Sequence, residues 1–94
     1  MCTMIAKQAK ISGSGKGIKG WFSVSGVNVS YDHPYHVPLE HALNIDFVNE
    51  AEGPGARVAV ELTLDSARQL VQTIQEVLAR AEAGGYMDEA VGKV

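Results

Sequence analysis

The chain has 94 residues, 46% of them hydrophobic and 20% charged, which suits one small domain spanning residues 1–94 and excludes a disordered, collagen-like or mucin-like polymer. A formal net charge of −3 argues against a dedicated binder of nucleic acid or of an anionic membrane, since either needs a basic face to meet phosphate. One cysteine cannot build an internal disulfide framework, and no apolar run of spanning length or signal-peptide layout is visible, so a cytoplasmic protein is expected.

Thr3 to Ile11 mixes small, apolar and basic residues with loose alternation and reads as a first strand. Ser12 to Gly20, SGSGKGIKG, holds four glycines; their backbone entropy argues against a helix or a packed strand and for a mobile hairpin loop. Trp21 to Tyr31 is rich in aromatic and β-branched residues, with Val27, Val29 and Tyr31 alternating against Asn28 and Ser30. Phe22 and Val24 fall on the opposite parity, and a bulge at Gly26 would return them to one face. Pro34 and Pro38 make Asp32 to Glu40 an irregular connection. Ala42 to Glu50 is a third strand, residues 51–55 a turn, and Ala56 to Leu62 a fourth strand with Val58, Val60 and Leu62 inward.

From Thr63 the period changes from two to 3.6. Ala67, Leu70, Val71, Ile74, Val77, Leu78 and Ala81 share one helical stripe, with Thr63 as N-cap, Asp65 at the positive end of the dipole and Gly84 or Gly85 as the stop. The predicted fold is therefore α+β: a four-stranded antiparallel meander with one long C-terminal amphipathic helix packed on one face. Such a layer leaves the other sheet face without cover from the same chain, and a homodimer is expected. Residues 86–94 fray, or dock through Tyr86 and Met87.

The chemical lead is His33, His36 and His41, all the histidines of the chain within nine residues. His33 continues the parity of Val27, Val29 and Tyr31, and His41 that of Leu43, Ile45 and Phe47, so both belong at adjacent mouths of neighbouring strands. In a polyproline-like turn His36 projects from the same side as His33. Three imidazole nitrogens suit a divalent transition metal (zinc, copper, nickel or iron), with Glu40, Asp32 and Cys2 as auxiliary ligands or partners to the ring N–H groups. An open coordination position would permit Lewis-acid or redox chemistry, and a closed one would make the site structural. The spacing is no known metal signature. The same residues also fit a polar loop whose histidines pack on Tyr31 and Tyr35 and bond to backbone carbonyls.

Gly15, Gly17 and Gly20 match the dinucleotide fingerprint formally, but a strand follows where a helix is required. With Lys10, Lys16 and Lys19 the segment is basic enough to meet an anion. Trp21 reads as a core or interface aromatic. Asp46, Glu50, Glu52 and Glu61 suggest paired carboxylates, but Asp46 and Glu61 fall on outward positions of neighbouring strands and read as a solvated face or a dimer rim, and no Ser-His-Asp order can be argued.

MCTMIAKQAKISGSGKG, WFSV, YDHPYHVPLEHALNIDFVNE and LTLDSARQLV together resemble a family of short bacterial proteins classed as a domain of unknown function. The resemblance covers nearly the whole chain and implies a free-standing single domain, with no activity attached. The leading expectation is a metal-binding protein through His33, His36 and His41. The alternative is a non-catalytic homodimeric interaction module that binds a protein or a small acidic ligand through its open sheet face or Gly-Lys loop. A cofactor-free enzyme with His41 or His33 as general base near Tyr31 ranks third.

Overall fold

The computed structural model describes residues 5–85. Four strands, β1 (Ile5–Gly17), β2 (Gly20–Asp32), β3 (Ala42–Val48) and β4 (Arg57–Leu62), precede one α-helix, α1 (Leu64–Ala83). The strands pair antiparallel in the order β1-β2-β3-β4, which is the meander the alternating patterns predict. The sheet with its loops, through Leu64, and the helical segment after it are two units; each is described by itself. No helix among the described residues is long and apolar enough to cross a membrane.

Pleating sorts the sheet into two chemically distinct faces. The register aligns Val27 with Phe47 and Val58, Val29 with Ile45 and Val60, and Tyr31 with Leu43 and Leu62. These residues, with Ile5 and Ala9 of β1 opposite Tyr31 and Val27, make one apolar face, with Lys7 opposite Val29 at its β1 edge. The other face carries Gln8, Asn28, Ser30, Asn44, Asp46, Arg57 and Glu61. It is cross-linked by Gln8 Nε2 donating to Asn28 Oδ1 at 2.7 Å and by Arg57 bonding Asp46 Oδ1 at 2.9 and 3.1 Å.

The glycine-rich segment is strand, contrary to the loop expected for Ser12 to Gly20. β1 continues to Gly17 and turns back through Ile18 and Lys19 to Gly20, whose φ of 110° only glycine adopts readily. The register shift lies between Lys10 and Gly13, so the bulge is on β1 and not at Gly26 of β2. Parity in β2 therefore runs on unbroken, and Phe22 and Val24 stay on the side opposite Val27.

Glycines on the facing strand make that side habitable. A Cβ on Gly15 would stand 3.1 Å from Val24 Cγ2 and 3.4 Å from Phe22 Cζ, and one on Gly17 would meet Phe22 Cε1 at 3.3 Å and Gly55 O at 3.4 Å. The glycines thus admit the Phe22 ring, let the hairpin curl toward the start of β4, and help to bury Val24 and Ala56. Backbone entropy opposes strand at these positions; ladder hydrogen bonds and the packing of Phe22 and Val24 outweigh it.

α1 is a 20-residue amphipathic helix, about 30 Å long. Asp65 stands in its first turn and Arg80 in its last, both favourable to the macrodipole. Gly84 N donates to Arg80 O and Gly85 N to Glu82 O, with Gly85 at φ 81°, so the predicted glycine stop is observed. The first-strand expectation at Thr3 and Met4, and those for Tyr86, Met87 and the rest of the tail, fall outside the described residues.

A valine at position 15 must displace Val24 or Phe22. Gly15→Val is expected to destabilise by about 1–3 kcal/mol, whereas Gly13→Ala, where nothing lies within 4 Å of the added Cβ, should stabilise by about 0.5 kcal/mol. Urea unfolding of the two variants checks the contrast.

Candidate functional site

The crossover from β2 to β3, residues 33–41, is shaped by one carboxylate. Glu61 of β4 accepts the backbone N–H of Tyr35 on Oε2 at 2.6 Å, and those of His36 and Val37 on Oε1 at 2.9 and 3.0 Å. Successive N–H groups that converge in this way form an anion nest, and here the anion is the chain's own. Pro34 and Pro38 lack N–H groups and restrict the backbone on either side. Leu39 N closes a tight turn onto Val37 O at 2.8 Å, while Ala42, fully buried, anchors the point where the chain re-enters the sheet.

The Val37 N–H foremost, then that of Tyr35, holds the Glu61 carboxyl below its ordinary value of 4.5; desolvation opposes them, and the His36 N–H and charge add to the lowering. Glu61 is thus a loop clamp, not the solvated or dimer-rim carboxylate its parity suggests. Asp46 likewise has a defined partner in Arg57. No periodicity could reveal Glu61, since its three donors lie about 25 residues earlier in the chain.

The structure brings His33 and His41 together. Their rings stack with centroids 4.7 Å apart, and the His41 ring stacks in turn on Tyr31 at 5.4 Å. This follows from register: Asp32 pairs with Ala42, so the residues one step beyond face each other at the strand mouths, on the side of the apolar face. His33 Nδ1 donates to the Glu40 carbonyl at 2.9 Å, which leaves Nε2 with its lone pair in the neutral ring. His33 N donates to Asp32 Oδ1 at 2.7 Å.

His36 is drawn to Glu61 through its backbone N–H. Glu40 serves the stack through its carbonyl and not its carboxylate, and Cys2 lies outside the described residues. Among the described residues, no group of three or more His, Cys, Asp or Glu side chains is arranged to hold a metal ion. Tyr35 is 96% exposed.

Two concavities flank this region. On the polar side, a cleft of about 220 Å³ is lined by Ser30, Asp32, His33, Tyr35, Asn44, Asp46, Arg57 and Glu61 among others. In that sheet face Asn44 Oδ1 is buried and has no hydrogen-bond partner. On the apolar side, an open depression of about 440 Å³ is lined by Ile5, Lys7, Val29, Tyr31, Leu43 and Leu64 with Ser30. Trp21, expected in a core or an interface, stands 71% exposed at the far end of β2.

Because the folded Glu61 has the lower pKa, its clamp contributes fully above the ordinary carboxylate value and is lost as pH falls through the lowered one. Amide exchange at Tyr35, His36 and Val37 is therefore expected to accelerate in acid. Glu61→Gln, which keeps one acceptor oxygen but no charge, should raise exchange at these three amides at neutral pH and abolish the acid step. Exchange that does not change with pH or substitution would contradict the clamp.

Residues 1–87 match the family of unknown function DUF6295. Neither a curated protein nor a solved structure matches the chain. The chain belongs to the DUF6295 family.

Proposed function

We propose that this member of the DUF6295 family is a non-catalytic interaction module that works as a pair of identical chains, joined through the apolar face of the sheet. The observation that carries this reading is the face itself. Val27, Val29, Tyr31, Leu43, Ile45, Phe47, Val58, Val60 and Leu62 share it in register, and none of them is buried. Contiguous apolar patches of more than a few hundred Å² are rare on soluble monomers and mark interaction surfaces. Only Val24, Ala42, Ala56 and Ala67 are buried among the described residues, a small interior for a chain of this length.

The helix, taken by itself, carries a second apolar stripe: Leu70, Val71, Ile74, Val77 and Leu78 are 41–61% exposed. So small an interior supports association as a further source of core. A face that meets its own copy about a two-fold axis is the commonest way for a soluble chain to pair.

Sedimentation equilibrium should give twice the chain mass at micromolar concentration, and the melting temperature should rise with protein concentration, because association stabilises only the folded form. A single-chain mass with a concentration-independent melting temperature would refute the pairing. Phe47→Asp places a charge in the joined face and should cost about 3 kcal/mol or more, while Asn28→Asp on the polar face leaves the mass unchanged.

A second reading rests on the tautomer of His33. With Nδ1–H held by the Glu40 carbonyl, Nε2 is preset as an acceptor beside the His41 ring, the usual arrangement of a metal-ligating imidazole. A divalent transition metal would take His33 and His41 first, with His36, Glu40, Asp32 or Cys2 completing the set after rearrangement of the crossover. Calorimetric titration with Zn²⁺ or Ni²⁺ is expected to show binding that weakens at least about tenfold in His33→Ala and in His41→Ala. Heats that do not change in these variants would defeat the metal reading.

A further inference from the structure

The two most exposed apolar residues at the turn of the β1–β2 hairpin have no role in the reading above. Ile18 is 89% and Trp21 71% exposed. β3 pairs with β2 only over Gly26–Asp32, so residues 13–17 and 20–24 form a two-stranded arm beyond β3 that curls toward residues 55–57, with Ile18 and Lys19 as its turn. Lys16 and Trp21 are cross-strand partners and share a face, whereas Phe22 turns to the opposite side, over Gly15 and Gly17. The end of the arm therefore presents an aliphatic and an indole side chain beside Lys16, with the Lys19 stem lying 3.9 Å from the position of a Cβ on Gly55, from where a rotation of the side chain brings its ammonium to the tip.

Charge along the chain is as uneven as exposure. Residues 1–31 contain Lys7, Lys10, Lys16 and Lys19 and no acidic residue, while every one of the 11 acidic residues lies at Asp32 or beyond. The net charge of −3 thus averages a basic hairpin with an acidic remainder. Near an anionic surface, such a distribution turns the hairpin toward the surface and the remainder away.

We propose that the tip formed by Lys16, Ile18, Lys19 and Trp21 docks on an anionic phospholipid bilayer, with Ile18 and the Trp21 indole entering the interfacial layer and the lysines meeting headgroup phosphates. Indole favours the headgroup level because its ring is apolar and its N–H can still donate. Lysine stems lie along the apolar boundary while their ammonium groups stay in water. Glu52 opposes the contact: with Lys19 and Pro54 it lines the recess between the tip and residues 54–56. It limits the depth of entry and makes the interaction reversible.

Trp21 is the sole tryptophan, so its emission reads the contact directly in the whole protein. With phosphatidylserine-rich vesicles, the emission should shift to the blue and the protein should sediment with the vesicles. Pure phosphatidylcholine vesicles should give neither effect, and high salt should reverse both. Lys16→Ala and Lys19→Ala are each expected to weaken partitioning about fivefold, the equivalent of about 1 kcal/mol of lysine–headgroup attraction apiece.

Ile18→Ser should weaken binding without altering the salt dependence, and Glu52→Gln should strengthen it. These positions lie on the surface, and circular dichroism checks that each variant folds. Unchanged emission with anionic vesicles overturns the proposal, as does equal binding to neutral ones. A response to single-stranded RNA with none to vesicles would also overturn it, and would assign the tip to a nucleic acid. A single-chain mass in solution leaves this proposal standing, since the tip does not need a paired chain.

Discussion

The pairing register of β2 with β3 is the constraint on which the other features of the sheet rest. With Tyr31 opposite Leu43 and Asp32 opposite Ala42, the apolar residues of both strands meet on one side. The residues just beyond the pair, His33 and His41, are then brought ring to ring. A slip of one residue would send the apolar set to the opposite face. It would also separate the histidines. The Glu61 clamp depends on the same register, because β4 follows β3 with Asn44 opposite Glu61, which places the carboxylate on the polar face under the crossover. The three N–H groups it accepts hold residues 35–37 there.

Much of this was legible because period two is a strong signal where one face is apolar and the other wet. Val58, Val60 and Leu62 identify β4, and the change to period 3.6 after Thr63 identifies the helix. The facing of His33 and His41 followed from parity alone. The hairpin differs from its sequence pattern for a physical reason: intrinsic glycine entropy opposes strand, and only the partner strand outweighs it. Gly15 and Gly17 are required by what they leave room for, the Phe22 ring and the Val24 side chain, and no local pattern within β1 announces that need. Glu61 was invisible for a related reason, since a carboxylate on a polar face looks the same whether water or a distant loop binds it.

Net charge likewise carries no information on where along the chain the charges lie. An average over the chain predicts no affinity for anionic surfaces, but attraction is decided within about a Debye length, roughly 8–10 Å at physiological ionic strength. On that scale the hairpin turn has Lys16 and Lys19 with Glu52 beside them, and acidic residues beyond that distance are screened. The histidine stack is another case in which number and nearness differ from arrangement. Three imidazoles close in sequence resolve into two stacked rings and a third residue held through its backbone N–H, because Glu61 satisfies the main chain of the crossover at the position of His36.

The hairpin tip and the histidine crossover stand at opposite ends of β2, a 13-residue strand that spans roughly 40 Å, and the apolar face lies between them. Pairing through that face therefore need not cover either end. In the proposed pair, the orientation of the two-fold axis would decide how the tips are displayed. An axis along the strands places both tips at the same end, where two modest contacts with one surface reinforce each other through high effective concentration. An axis across the strands sends the tips to opposite ends, so that a single flat bilayer can engage only one. The strength of the proposed surface attachment would in this way depend on how the sheets meet, and not only on the residues at the turn.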